Sequence, residues 1–300
     1  MTSTFDVRQV RRAFSRASTT YADASGLQRE VEAQLLDSLE YLDDRVPAVV
    51  LDVGSGPAHA ALQMRQRWPK SRVIAMDLSL AMLQQAPVRT GWRDRLGLQK
   101  PVDRVCADLR LLPFADNSVD LLFSNLCLQW VDDLPAALAG FRRVLKPEGL
   151  LLVSTFGPQT LIELRESFGV ADAAPHVSPF VSIAEFGDAL MQAGFRNPVL
   201  DRDVATGWHP DMTALMREQR AIGATNALDG RRRGLTGRAR FAAAAAHYEQ
   251  FRTERGLPAS WEWITAMAWS PPHGAPIREG GEELARFDAS AIPVRRRSGS

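Results

Sequence analysis

Apolar positions along this chain repeat with two periods, and the alternation between those periods organises its middle. From Val7 to Leu42 the spacing is helical, with Val31, Leu35, Leu36 and Leu39 on one face. Pro47 breaks the pattern, and Ala48–Val53 (AVVLDV) is a short apolar, β-branched run of the kind that forms a buried parallel strand. Residues 58–68 read as a helix stopped by Pro69. The pattern then predicts a second strand over Arg72–Ser79, a helix from Leu80, a third strand ending near Asp108 and a fourth within Val119–Trp130. A helix from Leu134, closed by Pro147 and Gly149, precedes a fifth strand over Leu150–Phe156. This alternation predicts an α/β fold with a doubly wound sheet, parallel in this stretch.

After Phe156 the regularity loosens. Helical text over Gln159–Phe168 leads into a loop-rich stretch (GVADAAPHVSPF), an amphipathic helix over Ser182–Phe195 and a sixth strand over Pro198–Val204. Polar, Arg-rich helical text follows from Asp211 to Gly256, then a last strand over Trp261–Trp269. The implied organisation is an N-terminal helical lid segment (1–45), a ligand-binding core (46–205), a helical insertion (206–258), the last sheet strand (259–270) and a loose Pro- and Gly-rich tail (271–300).

Composition narrows the function classes. The 300 residues, 45% hydrophobic and 24% charged, are those of an ordinary globular protein. A formal net charge of +1 gives no bulk attraction to nucleic acid, and the arginines are not interleaved with stacking aromatics. No apolar run is long enough to span a bilayer, and the start lacks a secretory signal. Two cysteines, Cys106 and Cys127, and five scattered histidines show neither a disulfide framework nor metal-ligand spacing. The expectation is a soluble cytoplasmic protein with no metal, membrane or nucleic-acid partner.

The chemistry is concentrated at Leu51–Ala60, LDVGSGPAHA. His59 stands where the dinucleotide fingerprint requires its third glycine, and no Gly-Lys-Ser/Thr phosphate loop is present. What remains is an acid two residues before Gly-x-Gly at a strand end. The glycines permit close backbone approach, and the helix beginning near Pro57 offers free N–H groups. Asp52, Asp77 and Asp108 fall at three successive strand ends, the edge on which open α/β sheets bind ligands. Asp52 suits a cationic amine, Asp77 a pair of ribose hydroxyls, and Asp108 an adenine amino group.

The segments VLDVGSGPAHAALQM, VIAMDLSLAML, ADLRLLPFADNSVDLLFSNLCLQWV and GFRRVLKPEGLLLVSTF resemble, in order and spacing, the motifs of class I S-adenosylmethionine-dependent methyltransferases, over about Ala48–Phe156. The resemblance implies a Rossmann-like, seven-stranded, mostly parallel sheet, with S-adenosyl-L-methionine held by Asp52, Gly54, Gly56, Asp77, Leu78, Asp108, Leu109 and Asn125. One departure is Ala58, where many members carry a third glycine; it is expected to reduce loop freedom without abolishing binding.

The flanks resemble a narrower family, the malonyl-acyl carrier protein O-methyltransferases of biotin synthesis. VRRAFSRASTTYADASGLQREV, FSNLCLQWVDDLPAAL, TFGPQTLIELRESF, ADAAPHVSPFVSIAEFGDALMQAGF and LMREQRAIGATNAL carry this likeness from Val7 to Trp269. It implies methylation of a free carboxylate on a malonyl thioester borne by acyl carrier protein or coenzyme A. A carboxylate with a pKa of ~4 is already ionised, so no general base is required. Tyr21 and His176 are the implied catalytic positions, and Trp130 is placed to wall the site. Arg231, Arg232 and Arg233, within DGRRRGLTGRAR, are expected to meet an acidic carrier or the substrate. The same middle and C-terminal phrases also resemble a mitochondrial assembly factor that hydroxylates an arginine on this fold. A methyltransferase for another small carboxylate is the other alternative.

Overall fold

The computed structural model describes residues 5–87, 100–234, 236–274, 277–279 and 282–284. In β1 (Val49–Val53), Val50, Leu51 and Val53 have no exposed surface, as a strand covered by helices on both sides requires. Around it lie β2 (Arg72–Asp77), β3 (Asp103–Cys106), β4 (Val119–Ser124), β5 (Leu145–Phe156), β6 (Arg196–His209) and β7 (Leu257–Trp269). They form one seven-stranded sheet in the order β3-β2-β1-β4-β5-β7-β6. β1 to β5 pair in parallel, and β7 runs antiparallel between β5 and β6. Strand order reverses between β1 and β4, which opens a crevice at their carboxyl ends.

Each face of the sheet has its own core. On one, Phe141 of α6 (Leu134–Val144) and Phe186 of α8 (Ile183–Gln192) pack with Leu51, Leu122 and Ile264. On the other, Leu35 of α3 (Gly26–Asp37) and Met64 of α4 (His59–Arg67) pack with Val50, Phe123 and Leu152. A third cluster, including Phe156, Phe168, Tyr248 and Trp261, lies beneath the late helices.

Several expected boundaries move. The N-terminal helix is broken into α1 (Val7–Ala17), α2 (Tyr21–Ala24), α3 and a 3-10 turn, Ser38–Leu42. Thr20 Oγ1 donates to the carbonyls of Ala17 at 3.1 Å and Ala221 at 2.7 Å, so side-chain bonds replace the helical ladder at the first break. α6 stops at Val144, and Pro147 lies inside β5, where the pairing with β4 shifts register between Val119 and Leu121. β6 extends to His209 and β7 begins at Leu257, so neither 205/206 nor 258/259 separates elements. The sequence reading found the middle of this pair but not its far ends, Ala205–His209 and Leu257–Ser260, where Gly207 and Pro258 interrupt the strand pattern.

Between β6 and β7, α9 (Met212–Ala221) and α10 (Arg238–Tyr248) are real, but Arg231–Arg233 lie in the loop that joins them. α7 spans Ile162–Ala171, later than expected, because Gln159 N and Thr160 Oγ1 are held by Glu262 of β7. Part of the expected loose tail forms a ribbon, β8 (Ile277–Glu279) with β9 (Glu282–Leu284), while 285–300 lie outside the described residues. No helix among the described residues is long and apolar enough to cross a membrane.

Candidate active site

The loop after β1 turns back at once onto β2. Gly54 N and Ser55 N donate to Met76 O at 2.8 and 3.0 Å, and Gly54 has φ 72°. A Cβ on Gly54 would stand 2.3 Å from Cys127 Sγ, so the backbone is packed to the limit there. Gly56 N donates to Asp77 Oδ2 at 2.9 Å, while Asp77 Oδ1 accepts from Ser79 N at 2.7 Å. One carboxylate thus ties the glycine loop to the turn after β2, and burial pushes its pKa up. α4 begins at His59, two residues beyond Pro57, because Ala58 takes the left-handed N-cap conformation (φ 62°, ψ 35°). The methyl group that replaces a glycine's hydrogen is tolerated in that conformation and fully buried.

Asp52 lies behind this loop. It is 2% exposed, accepts from Ala61 N at 3.2 Å in the first turn of α4, and lines neither of the two cavities described below. Burial, reinforced by Glu32, raises its pKa well above 3.8. A carboxyl whose folded pKa is raised contributes stability that is present below its unfolded pKa and lost as pH rises through the folded value. Asp52→Asn keeps an oxygen for Ala61 N and removes the charge. It is expected to be more stable than the parent at pH 7 and to flatten the decline in melting temperature above pH 4. Melting curves from pH 4 to 8 check this; parallel curves for the two proteins would refute it.

Every other cofactor-side residue singled out from the sequence lines one cavity of about 90 Å³ at the crevice: Gly54, Gly56, Asp77, Leu78, Asp108, Leu109 and Asn125. Asp108 is gripped by Arg110 through both oxygens; burial raises its pKa, and the Arg110 bonds outweigh that and lower it. Asn125 donates from Nδ2 to Gln28 O at 2.8 Å and accepts from Ser154 Oγ at 2.7 Å, clamping α3 to the sheet end. The sequence reading missed Cys127, beside Gly54, and the roof made by Val7, Val10 and Phe14 of α1. Their i, i+3, i+7 spacing was legible as an apolar stripe; what it covers was not.

A larger cavity, about 590 Å³, adjoins the first. Phe14, Tyr21, Leu126 and Trp130 border both. Trp130 is fixed by edge-on contact with Phe14, ring centroids 5.4 Å apart. The Tyr21 ring faces the glycine loop, 3.8 Å from where a Gly56 Cβ would stand. Burial, with the charges of Asp77 and Glu32, pushes the Tyr21 phenol up, so at neutral pH it is a hydrogen-bond donor and not a base.

His176 reaches the larger cavity alone and is not on the smaller one. Its ring stacks on Phe168 at 4.0 Å, and Nε2 lies 3.3 Å from Asp172 Oδ2. Asp172 also accepts from Arg232 Nη2 at 3.1 Å, and these bonds hold its carboxyl well below the usual range. The arginine run is divided. Arg231 turns inward to Asp6 Oδ2 at 2.9 Å and Leu228 O at 2.8 Å, Arg232 is tied to Asp172, and only Arg233 is mainly in solvent, its side chain 77% exposed.

A crevice at the strand-order reversal, a glycine loop tied to the acid after β2 and an adjoining second cavity define a methyltransferase site. Residues 51–153 match the methyltransferase domain family model. The chain covers 80% of its length on the YcgJ protein of Bacillus subtilis (98% of that chain, TM-score 0.55, 16% identity). It covers 86% on phosphoethanolamine N-methyltransferase 2 of Haemonchus contortus in complex with S-adenosyl-L-methionine (57% of that chain, TM-score 0.51, 18% identity). Both likenesses are of fold. Along its whole length it is 54% identical to the malonyl-[acyl-carrier protein] O-methyltransferase of Xylella fastidiosa, over 100% of both chains. The chain belongs to the malonyl-[acyl-carrier protein] O-methyltransferase family. Of the two resemblances weighed above, the full-length similarity falls on the O-methyltransferases.

Proposed function

We propose that this chain transfers a methyl group from S-adenosylmethionine to the free carboxylate of a malonyl thioester on acyl carrier protein. The observation that carries the reading is the meeting of two cavities at Tyr21, one under the glycine loop and one under the late helices.

The residues of the smaller cavity fit the donor. Gly54 and Gly56 leave backbone where side chains would obstruct, Asp77 offers acceptor oxygens at the end of β2, and Leu78 and Leu109 supply apolar walls. When bound, S-adenosylmethionine supplies a methyl on a positively charged sulfur; attack by a carboxylate oxygen forms the C–O bond, breaks the C–S bond and leaves a neutral thioether. The protein needs no base, because a carboxylic acid of pKa ~4 is ionised at pH 7. Its work is to align the acceptor and exclude water. Tyr21 holds the junction and donates a hydrogen bond there. His176, through Asp172 and Arg232, positions the far wall. The methyl ester removes one negative charge, which lets later enzymes with apolar pockets accept the product.

Carrier docking falls on the exposed arginines of the same loop and of α10, namely Arg233, Arg238 and Arg240, because Arg231 and Arg232 are tied to Asp6 and Asp172, whereas Arg233 meets only the solvent-exposed Asp229, at 3.7 Å. An acidic carrier would be drawn to this face in a salt-dependent way. Both cysteines are free, which fits a reducing cytoplasm.

The test is methyl transfer from labelled S-adenosylmethionine with malonyl- and acetyl-acyl carrier protein side by side. Label is expected on the malonyl form only, as a base-labile ester. Reversing Arg233, Arg238 and Arg240 to Glu should raise KM for the carrier-borne substrate about tenfold at low salt and leave kcat unchanged. Label on neither carrier, with donor binding intact by calorimetry, would overturn the reading.

A further inference from the structure

The helix that roofs the smaller cavity has a second, outward face. α1 reads VRQVRRAFSRA, with four arginines and no acid. Its inner face is occupied: Val10, Ala13 and Ala17 are buried, and Val7, Val10 and Phe14 line the smaller cavity. Arg8, Arg12 and Arg16 fall at i, i+4 and i+8, which makes one stripe on the opposite side. All three are exposed, and so is Arg11 beside them. None of the four makes an ion pair among the described residues; Asp6, the acid next to them in the chain, is committed to Gln9 N and Arg231.

This pattern works against the helix that carries it. Like charges at i, i+4 repel, and Arg8 stands in the first turn, at the positive end of the helix dipole. An anionic surface lying along the stripe would relieve both effects, where water and salt only screen them. The formal net charge of +1 makes this a local field rather than a property of the whole chain.

The stripe borders the larger cavity. Gln9, a neighbour of Arg12 and Arg16 on the helix surface, lines that cavity together with Asp6 and Phe14. α9 packs against α1. Arg220 of α9 and Arg233 of the following loop are exposed and line the same cavity, so arginines stand on more than one side of its rim. From Arg8 to Arg16 the helix axis advances about 12 Å, roughly two turns of a facing helix. The apolar side of α1 is turned into the protein, so the helix has nothing to insert into a lipid surface. Its one aromatic ring, Phe14, faces the cavities and cannot stack on a base outside. A helix of an acidic carrier protein can present carboxylates at matching i, i+4 spacing and bring its thioester to this rim.

Resting on the carboxyl-methylation reading, we propose that the outer face of α1 is a docking surface for an acidic helix of the acyl carrier, with Arg8, Arg12 and Arg16 meeting its carboxylates and Arg233 holding another side of the rim. The roof of the donor cavity is thereby the platform on which the acceptor's carrier sits.

The variant Arg8→Gln, Arg12→Gln and Arg16→Gln removes the stripe and keeps good helix formers. Its melting temperature and donor affinity should equal or exceed those of the parent, because the repulsion goes with the charges. KM for malonyl-acyl carrier protein is expected to rise about tenfold at low salt, with kcat unchanged. KM for malonyl-pantetheine, which brings no protein to dock, should stay within about twofold. The difference between variant and parent should fade at about 0.5 M salt. Arg8→Lys, Arg12→Lys and Arg16→Lys together keep the charge and should stay near the parent. If the glutamine variant fails to fold, Arg12→Glu at the centre of the stripe replaces it, with a rise of about threefold in carrier KM expected. Calorimetric titration with carrier protein lacking its arm reads docking without catalysis; binding is expected in the parent and its loss in the glutamine variant. A carrier KM within about twofold of the parent at low salt, an equal rise on both probes, or arginine-dependent capture of anionic vesicles or duplex DNA in place of the carrier overturns the proposal. A parent that binds the armless carrier through these arginines but methylates neither probe would leave the docking surface standing and remove the carboxyl-methylation reading instead.

Discussion

Gly54→Ala is expected to cut methyl transfer by about 30-fold or more, through loss of donor binding. Two costs fall on one atom. At φ 72° an L-residue is in the left-handed region, worth roughly 1–2 kcal/mol against it. The added Cβ would also lie 2.3 Å from Cys127 Sγ and 2.6 Å from Cys127 Cβ, and relieving such overpacking typically costs about 1–3 kcal/mol. The sum, about 2–5 kcal/mol, corresponds to 30-fold at least if it is expressed in the bound loop, since 1.4 kcal/mol is tenfold. Rotating the Cys127 side chain would not relieve the clash, because its Cβ, which rotation does not move, is itself 2.6 Å away. Adding Cys127→Ala to Gly54→Ala should recover part of the loss, since it removes the sulfur and leaves the backbone cost and the 2.6 Å approach to Cβ. Calorimetric titration with S-adenosylmethionine, alongside a melt, reads both components. Donor affinity within threefold of the parent in Gly54→Ala would show that the loop moves freely and that its packing against Cys127 is not what shapes the site.

Tyr21→Ala is the second large effect, expected to lower kcat by about 100-fold while donor affinity changes less. The ring stands on the border of both cavities, so its loss opens the junction where acceptor and donor must be aligned and where water must be excluded. Misplacement of about 1 Å can cost 10²-fold. Tyr21→Phe separates the two contributions. It keeps the ring and removes a hydroxyl that burial holds protonated, and should fall about tenfold if that hydroxyl donates to the acceptor, as one hydrogen bond to a charged group warrants. Because the phenol is pushed up and never serves as a base, no rise in rate toward alkaline pH is expected from it. Single-turnover rates at saturating malonyl-acyl carrier protein are the measurement. A kcat for Tyr21→Ala within twofold of the parent would reduce the residue to surface cover.

How much of this was legible in one dimension differs by kind of feature. The apolar run of β1, the glycines after it and the acids at the ends of β2 and near β3 are local signals, since each depends on what a residue's own backbone and nearest neighbours require. Gly54 must be glycine because of its own φ and its own missing Cβ. The strand pair β6–β7 was harder to see. Its middle, Pro198–Val204, showed in the pattern, but Gly207 and Pro258 interrupt the text of its far end, where Thr206 to His209 pair with Leu257 to Ser260. The N-terminal helix kept its period through Ser18–Thr20, so periodicity alone could not reveal a break created by Thr20 bonding to Ala221.

The site divides along the same line. Tyr21, His176 and the acids were singled out, but their surroundings were not. Asp52 sits behind the loop on Ala61 N; Arg231 and Arg232, two neighbours in a basic run, face Asp6 and Asp172; and Gln129, Gln219 and Thr225, none conspicuous in the text, share one wall. The sequence by itself determined the alternating sheet, the loop chemistry and the order of the strand-end acids, because periodicity and conformational preference act over a few residues. Only the tertiary structure decided which charges are spent within the protein and where the two cavities meet, because both depend on contacts through space between segments far apart in the chain.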